Sequence, residues 1–176
     1  CIRDSNIISH SMGVTLVRRV IKGGQVNAAA MPFNLGESLA NKVDTFIGIA
    51  GATWGLTICY ELPMYATCNS LNGFYPGYAI GPMGMSKYLQ ELNNDQIKEG
   101  SHVFSIFSTQ DDLIGFGDIV WGRYTSVWPT VEAKKSTTST LIVIWPLEMK
   151  QPLTSSILSP STLSIVKSLC LLYTSD

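Results

Sequence analysis

The sequence predicts an α/β fold: a parallel sheet flanked by helices. Three observations carry this. Buried-strand patterns at Asn6–Ser9, Val43–Ile49 and Val103–Phe107 are separated by helical or helix-length stretches, and strands that alternate with helices build parallel sheets. The 176 residues are 45% hydrophobic and 14% charged, which suits one domain with a real core. The 15 glycines all precede Arg123, so the turn-rich part of the chain ends there.

The elements follow in order. Asn6-Ile-Ile-Ser9 is the end of a buried strand. Met12–Lys22 has helical spacing, with Val14, Val17, Val20 and Ile21 as its apolar residues and Gly23-Gly24 past its end as C-cap material. Arg18, Arg19 and Lys22 lie in its C-terminal turns, where cations oppose the helix dipole. Val43–Ile49 is the next strand, and it ends in the small-residue loop Ala50–Gly55. Ser86–Asn93 is a short amphipathic helix with Tyr88, Leu89 and Leu92 apolar. Val103–Phe107 is a third strand, closed by the polar turn Ser108–Asp112. No internal repeat is present.

Charge excludes some functions. Twelve Lys and Arg face thirteen Asp and Glu, for a net charge of -1. That balance, with no basic run, argues against nucleic acid or an anionic membrane patch as partner. Leu141–Pro146 is too short to span a membrane, and Ile165–Tyr173 is interrupted by Lys167. Only two His are present and no C-x-x-C, so no metal site and no cofactor are expected.

Ser9-His10-Ser11-Met12-Gly13 falls between a strand and a helix. That is the setting of a nucleophile elbow, in which a tight turn lifts one hydroxyl above the sheet edge. Small residues at Ser9 and Gly13 are expected because neighbouring backbone comes close. Ser11 at a helix start would meet free N–H groups that favour developing negative charge, with the Met12 N–H as one oxyanion donor. The competing use of Ser11 is a helix N-cap, a common role for Ser.

The chain resembles the class 2 lipases, and within them a nematode lipase-related branch. The resemblance rests on Ser9-His-Ser-Met-Gly13, Arg18-Arg-Val-Ile-Lys-Gly-Gly24 and Val43-Asp-Thr-Phe-Ile-Gly-Ile-Ala-Gly-Ala-Thr-Trp-Gly55. It continues through Cys59, Cys68-Asn-Ser-Leu-Asn-Gly73, Lys87–Asn93 and Phe104-Ser-Ile-Phe-Ser-Thr-Gln-Asp111. It implies a partial α/β-hydrolase domain over residues 1–125, with a Ser-Asp-His triad that cleaves carboxylic esters of lipids. The substrate partner is then a lipid or acyl ester. The family pattern puts the acid three residues after Ser108, which selects Asp111 over its neighbour Asp112. It also implies a Cys59–Cys68 disulfide and secretion, with a signal peptide upstream. Cys1 then pairs outside this sequence, and Cys170 is not counted.

The triad base is missing. No His follows His102. His10 adjoins Ser11, and adjacent side chains in such a turn diverge, which leaves it a packing role at the helix start. His102 opens the strand that Asp111 follows, about 20 Å away at the opposite sheet edge. Glycine stops at Gly122 and Asn at Asn94, while Ser and Thr crowd Ser136–Thr140 and Thr154–Ser164. These shifts predict a reading frame lost between Gly122 and Ser136, the alternative being a natural Ser/Thr-Pro linker. Residues 126–176 are accordingly expected to be a poorly packed tail outside the family pattern. The ending Cys170–Asp176 resembles translated cloning adapter, and the start at Cys1 reads as a truncation inside a domain.

Trp54, Leu56, Ile58, Tyr60, Leu62, Met64 and Tyr65 follow the small-residue loop. At the carboxyl end of a strand they could line an acyl pocket or form ordinary core. Two functions compete: a secreted serine ester hydrolase, and a non-catalytic lipid- or partner-binding module that has discarded its base.

Overall fold

A computed structural model describes residues 5–78, 84–111, 114 and 118–138. The chain divides into two units, Cys1–Leu141 and Ile142–Asp176, and the second lies wholly outside the described residues. The first unit is built on a four-stranded sheet. Strand β1 (Ser5–His10) runs into helix α1 (Met12–Lys22). Two short strands, β2 (Gln25–Val26) and β3 (Phe33–Asn34), pair antiparallel before β4 (Val43–Ile49). Helices α2 (Ile58–Glu61) and α3 (Lys87–Asn94) precede β5 (His102–Ser108). A small hairpin of β6 (Ile119–Val120) and β7 (Arg123–Tyr124) leads to β8 (Ala133–Thr137).

The sheet order is β1-β4-β5-β8 and every neighbouring pair is parallel. This is the expected α/β architecture. All four carboxyl ends therefore lie along one edge, which positions the site. The three expected strands fall within one or two residues of the bounds read from the sequence, and α1 matches them. Gly23, at φ 66°, closes α1 and donates its N–H to Arg19 O at 3.1 Å, a left-handed C-terminal position that glycine fills without steric cost. Ser86 caps α3 by accepting from the Leu89 N–H.

Strand β8 was not expected. The sequence reading ends the family-like region at residue 125, yet Ser126 and Trp128 are buried and Ala133–Thr137 completes the sheet along β5. The folded region thus reaches at least Thr137. The expected tail from 139 onward lies outside the described residues.

Two apolar clusters form the core. Val14, Ile21, Val43, Phe46, Val103 and Trp128 make one. The other gathers Cys59, Cys68, Phe74, Tyr88, Leu89 and Leu92 with the loop residues Ala50 and Ala52. Helix α1 meets this core in an inverted way. Met12, Leu16 and Val20 are about half exposed, whereas Arg18 and Lys22 are fully buried. The sequence counts Val20 among the apolar residues of the helix and puts these cations in its C-terminal turns, opposing the dipole, with nothing to foretell their burial. Their burial is stabilised by Glu99, itself inaccessible to solvent, whose Oε1 accepts from Arg18 Nε at 2.8 Å and lies 3.4 Å from Lys22 Nζ. Asn93 Oδ1 accepts from Arg18 Nη1 at 3.1 Å, Thr130 donates to Glu99 Oε2, and the Arg18 guanidinium lies over the Trp128 ring at 4.8 Å. Burial works to raise the Glu99 carboxyl, but Arg18, Thr130 and Lys22 outweigh it and hold it below the ordinary range. Charges inside a protein persist when each is paired in this manner.

Candidate active site

Strand β1 ends at His10, α1 begins at Met12, and Ser11 is the single residue between them. Its backbone is at φ 54° and ψ -131°. A side chain other than glycine's is strained there, by about 1–3 kcal/mol. Two hydrogen bonds secure the turn. The Ser11 N–H donates to Ile49 O at the end of β4 at 2.9 Å, and Ser11 O accepts from the Val14 N–H at 3.0 Å. The Ser11 hydroxyl makes no capping bond, so it is not spent as an N-cap. The Met12 N–H belongs to the first turn of α1, where amides have no intrahelical acceptor.

The tightness expected at Gly13 lies elsewhere. A Cβ on Gly13 would meet open space. On the β4 side, a Cβ on Gly51 would come within 2.8 Å of Val14 Cγ1, and one on Gly48 within 2.5 Å of the Trp128 ring. The first turns of α1, at Val14, are therefore packed tightly against the glycines of the neighbouring strand and its loop. In the sequence this constraint was visible only as the glycines of Gly48-Ile-Ala-Gly51. Ser9 is buried, and its hydroxyl has no hydrogen-bond partner.

Asp111 lies three residues past the carboxyl end of β5 and is buried. Its Oδ1 accepts from the Ile114 N–H at 3.1 Å, and its own N–H donates to Ser108 O at 3.4 Å. Because β1 and β5 both run parallel to β4, Ser11 and Asp111 stand on the same edge of the sheet. They are two strand spacings apart, about 10 Å between the strands that carry them. Asp112 lies outside the described residues.

His10 closes β1 and is exposed rather than packed against the helix start. Partial desolvation lowers its imidazole from the ordinary value, opposed by the negative charge of Asp111. The two groups thus share one field at the carboxyl edge. His102 is at the other edge, at the first position of β5, beside Glu132 with Nδ1 3.6 Å from Oε2 and stacked on Phe104. The seven residues of β5 separate it from the Asp111 turn. It has no part in the site.

One acid at this edge was not expected. Asp118 is fully buried at φ 70°, and its Oδ1 accepts from the Ser126 hydroxyl at 2.5 Å. Burial pushes its carboxyl up to about 7 against the Ser126 hydrogen bonds, with the nearby Asp111 charge adding to the rise. Asp118 O also accepts from the Thr125 N–H at 2.8 Å, and Thr125 O accepts from the Thr53 N–H at 2.9 Å. Asp118 thereby joins the segment after Asp111 to the loop after β4.

That loop leads to the cysteine pair. Cys59 and Cys68 form a disulfide, with Cα atoms 4.9 Å apart. Between and around them the apolar run divides. Trp54 and Leu56 pack partly on the core, whereas Ile58, Tyr60, Leu62, Met64 and Tyr65 are 42–96% exposed. Most of the run is neither core nor enclosed pocket.

Among the described residues there is no group of three or more His, Cys, Asp and Glu able to hold a metal, and no helix long and apolar enough to cross a membrane. A parallel sheet whose strand runs through a strained serine into a helix is the framework of the α/β-type hydrolases. Residues 3–143 match the family model described as Lipase (class 2), and the chain belongs to that family of lipid-ester hydrolases. No curated protein matches it.

Proposed function

We propose that this chain carries the nucleophile and the acid of a serine carboxylic-ester hydrolase acting on lipid or acyl esters. Ser11 attacks the ester carbonyl, the Met12 N–H receives the developing oxyanion, and Asp111 orients the imidazole that takes the Ser11 proton. The observation that carries this reading is the strained Ser11. A hydroxyl held at φ 54°, free of any cap and on the same sheet edge as Asp111, has no role in holding the helix. The disulfide supports an oxidising compartment and hence secretion. The motif series supports membership of the nematode branch as part of the same proposal.

The imidazole is the open element. With His102 at the far edge and His10 beside the nucleophile, neither of the two His of this sequence takes the role. The chain as it stands therefore hydrolyses esters at a small fraction of a complete enzyme's rate. The same fact favours the second reading, a lipid- or partner-binding module without its base.

A short-chain chromogenic ester separates them when three proteins are compared: this chain, a frame-restored form with a His after Asp111, and its Ser11→Ala variant. The hydrolase reading expects turnover in the restored form and a loss of roughly three powers of ten or more on Ser11→Ala. A restored form that is inactive, or indifferent to Ser11→Ala, refutes it.

A further inference from the structure

Among the described residues Arg123 is one of several cations that meet no acid, and the one that lies over a tryptophan ring beside a cavity. Among the described residues Arg18, Lys22, Lys87 and Lys98 each pair with a carboxylate, and Arg123 pairs with none. Its guanidinium lies over the Trp54 ring at 4.7 Å, and its Nη2 is buried with no hydrogen-bond partner. Desolvation lowers its pKa from the ordinary value. A partly desolvated guanidinium that meets no carboxylate is favoured by an anion placed against its accessible side.

The space beside it fits such an anion. Arg123 and Trp54 border a cavity of about 430 Å³ with Met85, Gln90 and Asn94, and no carboxylate lines it. The accessible side of the guanidinium can donate to one phosphate oxygen, and the neutral amides of Gln90 and Asn94 line the same space. The surroundings indicate where the phosphate comes from. Trp121, two residues before Arg123 in the β6–β7 hairpin, packs edge-on against Tyr60 at 5.3 Å, and Tyr60 meets Tyr78 at 6.3 Å. Tyr60 belongs to the exposed turn Ile58–Tyr65, where Met64 is 96% exposed and Glu61 is the one charge. The disulfide between Cys59 and the buried Cys68 fastens that turn. Apolar and tyrosine side chains held out in water beside an unpaired arginine complement a lipid–water boundary, where acyl chains and headgroups lie a few ångströms apart.

We propose that the cavity beside Arg123 and Trp54 holds the phosphate of a phospholipid headgroup while the Ile58–Tyr65 turn enters the acyl layer of the same surface. The proposal does not rest on Ser11. A chain with no hydrolytic activity binds equally well.

The test is co-sedimentation of the full chain carrying Ser11→Ala with phosphatidic-acid vesicles, against dispersions of monoolein, which has no phosphate. Binding to phosphatidic acid is expected to exceed binding to monoolein by about tenfold or more. Arg123→Gln should remove that excess and Arg123→Lys restore part of it. Met64→Ser with Tyr65→Ser, two exposed positions that leave the core intact, should weaken binding to both surfaces. Equal binding to the two surfaces, or an excess that survives Arg123→Gln, overturns the headgroup site. Glycerol 3-phosphate and inorganic phosphate form the soluble arm, read by tryptophan fluorescence. If they bind as tightly as vesicles and the Met64/Tyr65 variant is neutral, the ligand is a soluble phosphate and the lipid surface is refuted. Should Arg123→Gln fail to fold, the Met64/Tyr65 variant and the soluble arm still decide.

Discussion

The two ends of helix α1 are built on opposite principles. At its start, Ser11 has a strained backbone and a hydroxyl that caps nothing. At its far end, Arg18 and Lys22 are buried, and Glu99, Asn93, Thr130 and backbone carbonyls satisfy most of their polar atoms. The first end stores backbone strain, and the second concentrates paired charge in the interior. If Ser11 is the nucleophile proposed above, fold stability and chemistry are separated by about ten residues, or some 15 Å of helix. Natural proteins place strain at functional positions because the surrounding structure holds it there.

The largest expected effect falls on turnover. In the frame-restored enzyme Ser11→Ala should abolish ester hydrolysis and leave the unfolding midpoint close to its original value. A variant that also unfolds early would show that the serine belongs to the scaffold. Next is Glu99→Gln, which leaves Arg18 buried without a counter-charge and Lys22 with only Asp95, at 3.9 Å. It should cost about 3–5 kcal/mol in urea unfolding, and a change below 1 kcal/mol would mean that the cluster does not anchor α1. Reducing the Cys59–Cys68 bridge should cost about 2–3 kcal/mol by freeing the unfolded chain. Its effect should fall on the Ile58–Tyr65 turn first, so limited proteolysis should cut there.

A further effect is a pH dependence at Asp118. Its carboxyl titrates near 7 in the folded chain, above its ordinary 3.8. The folded state therefore holds the proton more tightly than the unfolded one. The stability this contributes is complete below pH 3.8 and is lost as pH rises through about 7. Asp118→Asn should remove that part of the decline when melting temperature is followed from pH 4 to pH 8. An unchanged slope would place the titration elsewhere.

Much of this was legible in the sequence, and the exceptions have physical causes. Helix α1 and strands β4 and β5 were clear because apolar spacing and flanking Gly or polar turns agree there. The tight turn at Ser11 was legible because a strand, a five-residue motif centred on Ser11 and a helix follow in that order. Strand β8 was hidden: Ala133-Lys-Lys-Ser-Thr137 has no apolar alternation, and it pairs along the margin of the sheet through backbone bonds with its side chains largely exposed. Lysine on such a margin is common, since charge discourages further pairing. The burial of Arg18 was equally hidden, because Glu99 is 81 residues away and nothing local distinguishes a cation bound for the core from a solvated one. Asp118 escaped because nothing in its own segment marks it as buried, and its carboxylate meets Ser126 only once the hairpin folds.

The contrast between the two ends of α1 is tested most directly by the urea midpoint of Ser11→Gly. Glycine adopts φ 54° without the Cβ penalty, and Ser11 gives up no cap when it is replaced. The account predicts a higher midpoint with an unchanged slope, a gain of about 1 kcal/mol from released strain. A lower midpoint would show that the Ser11 side chain holds the start of the helix, and would contradict the separation of chemistry from stability along α1.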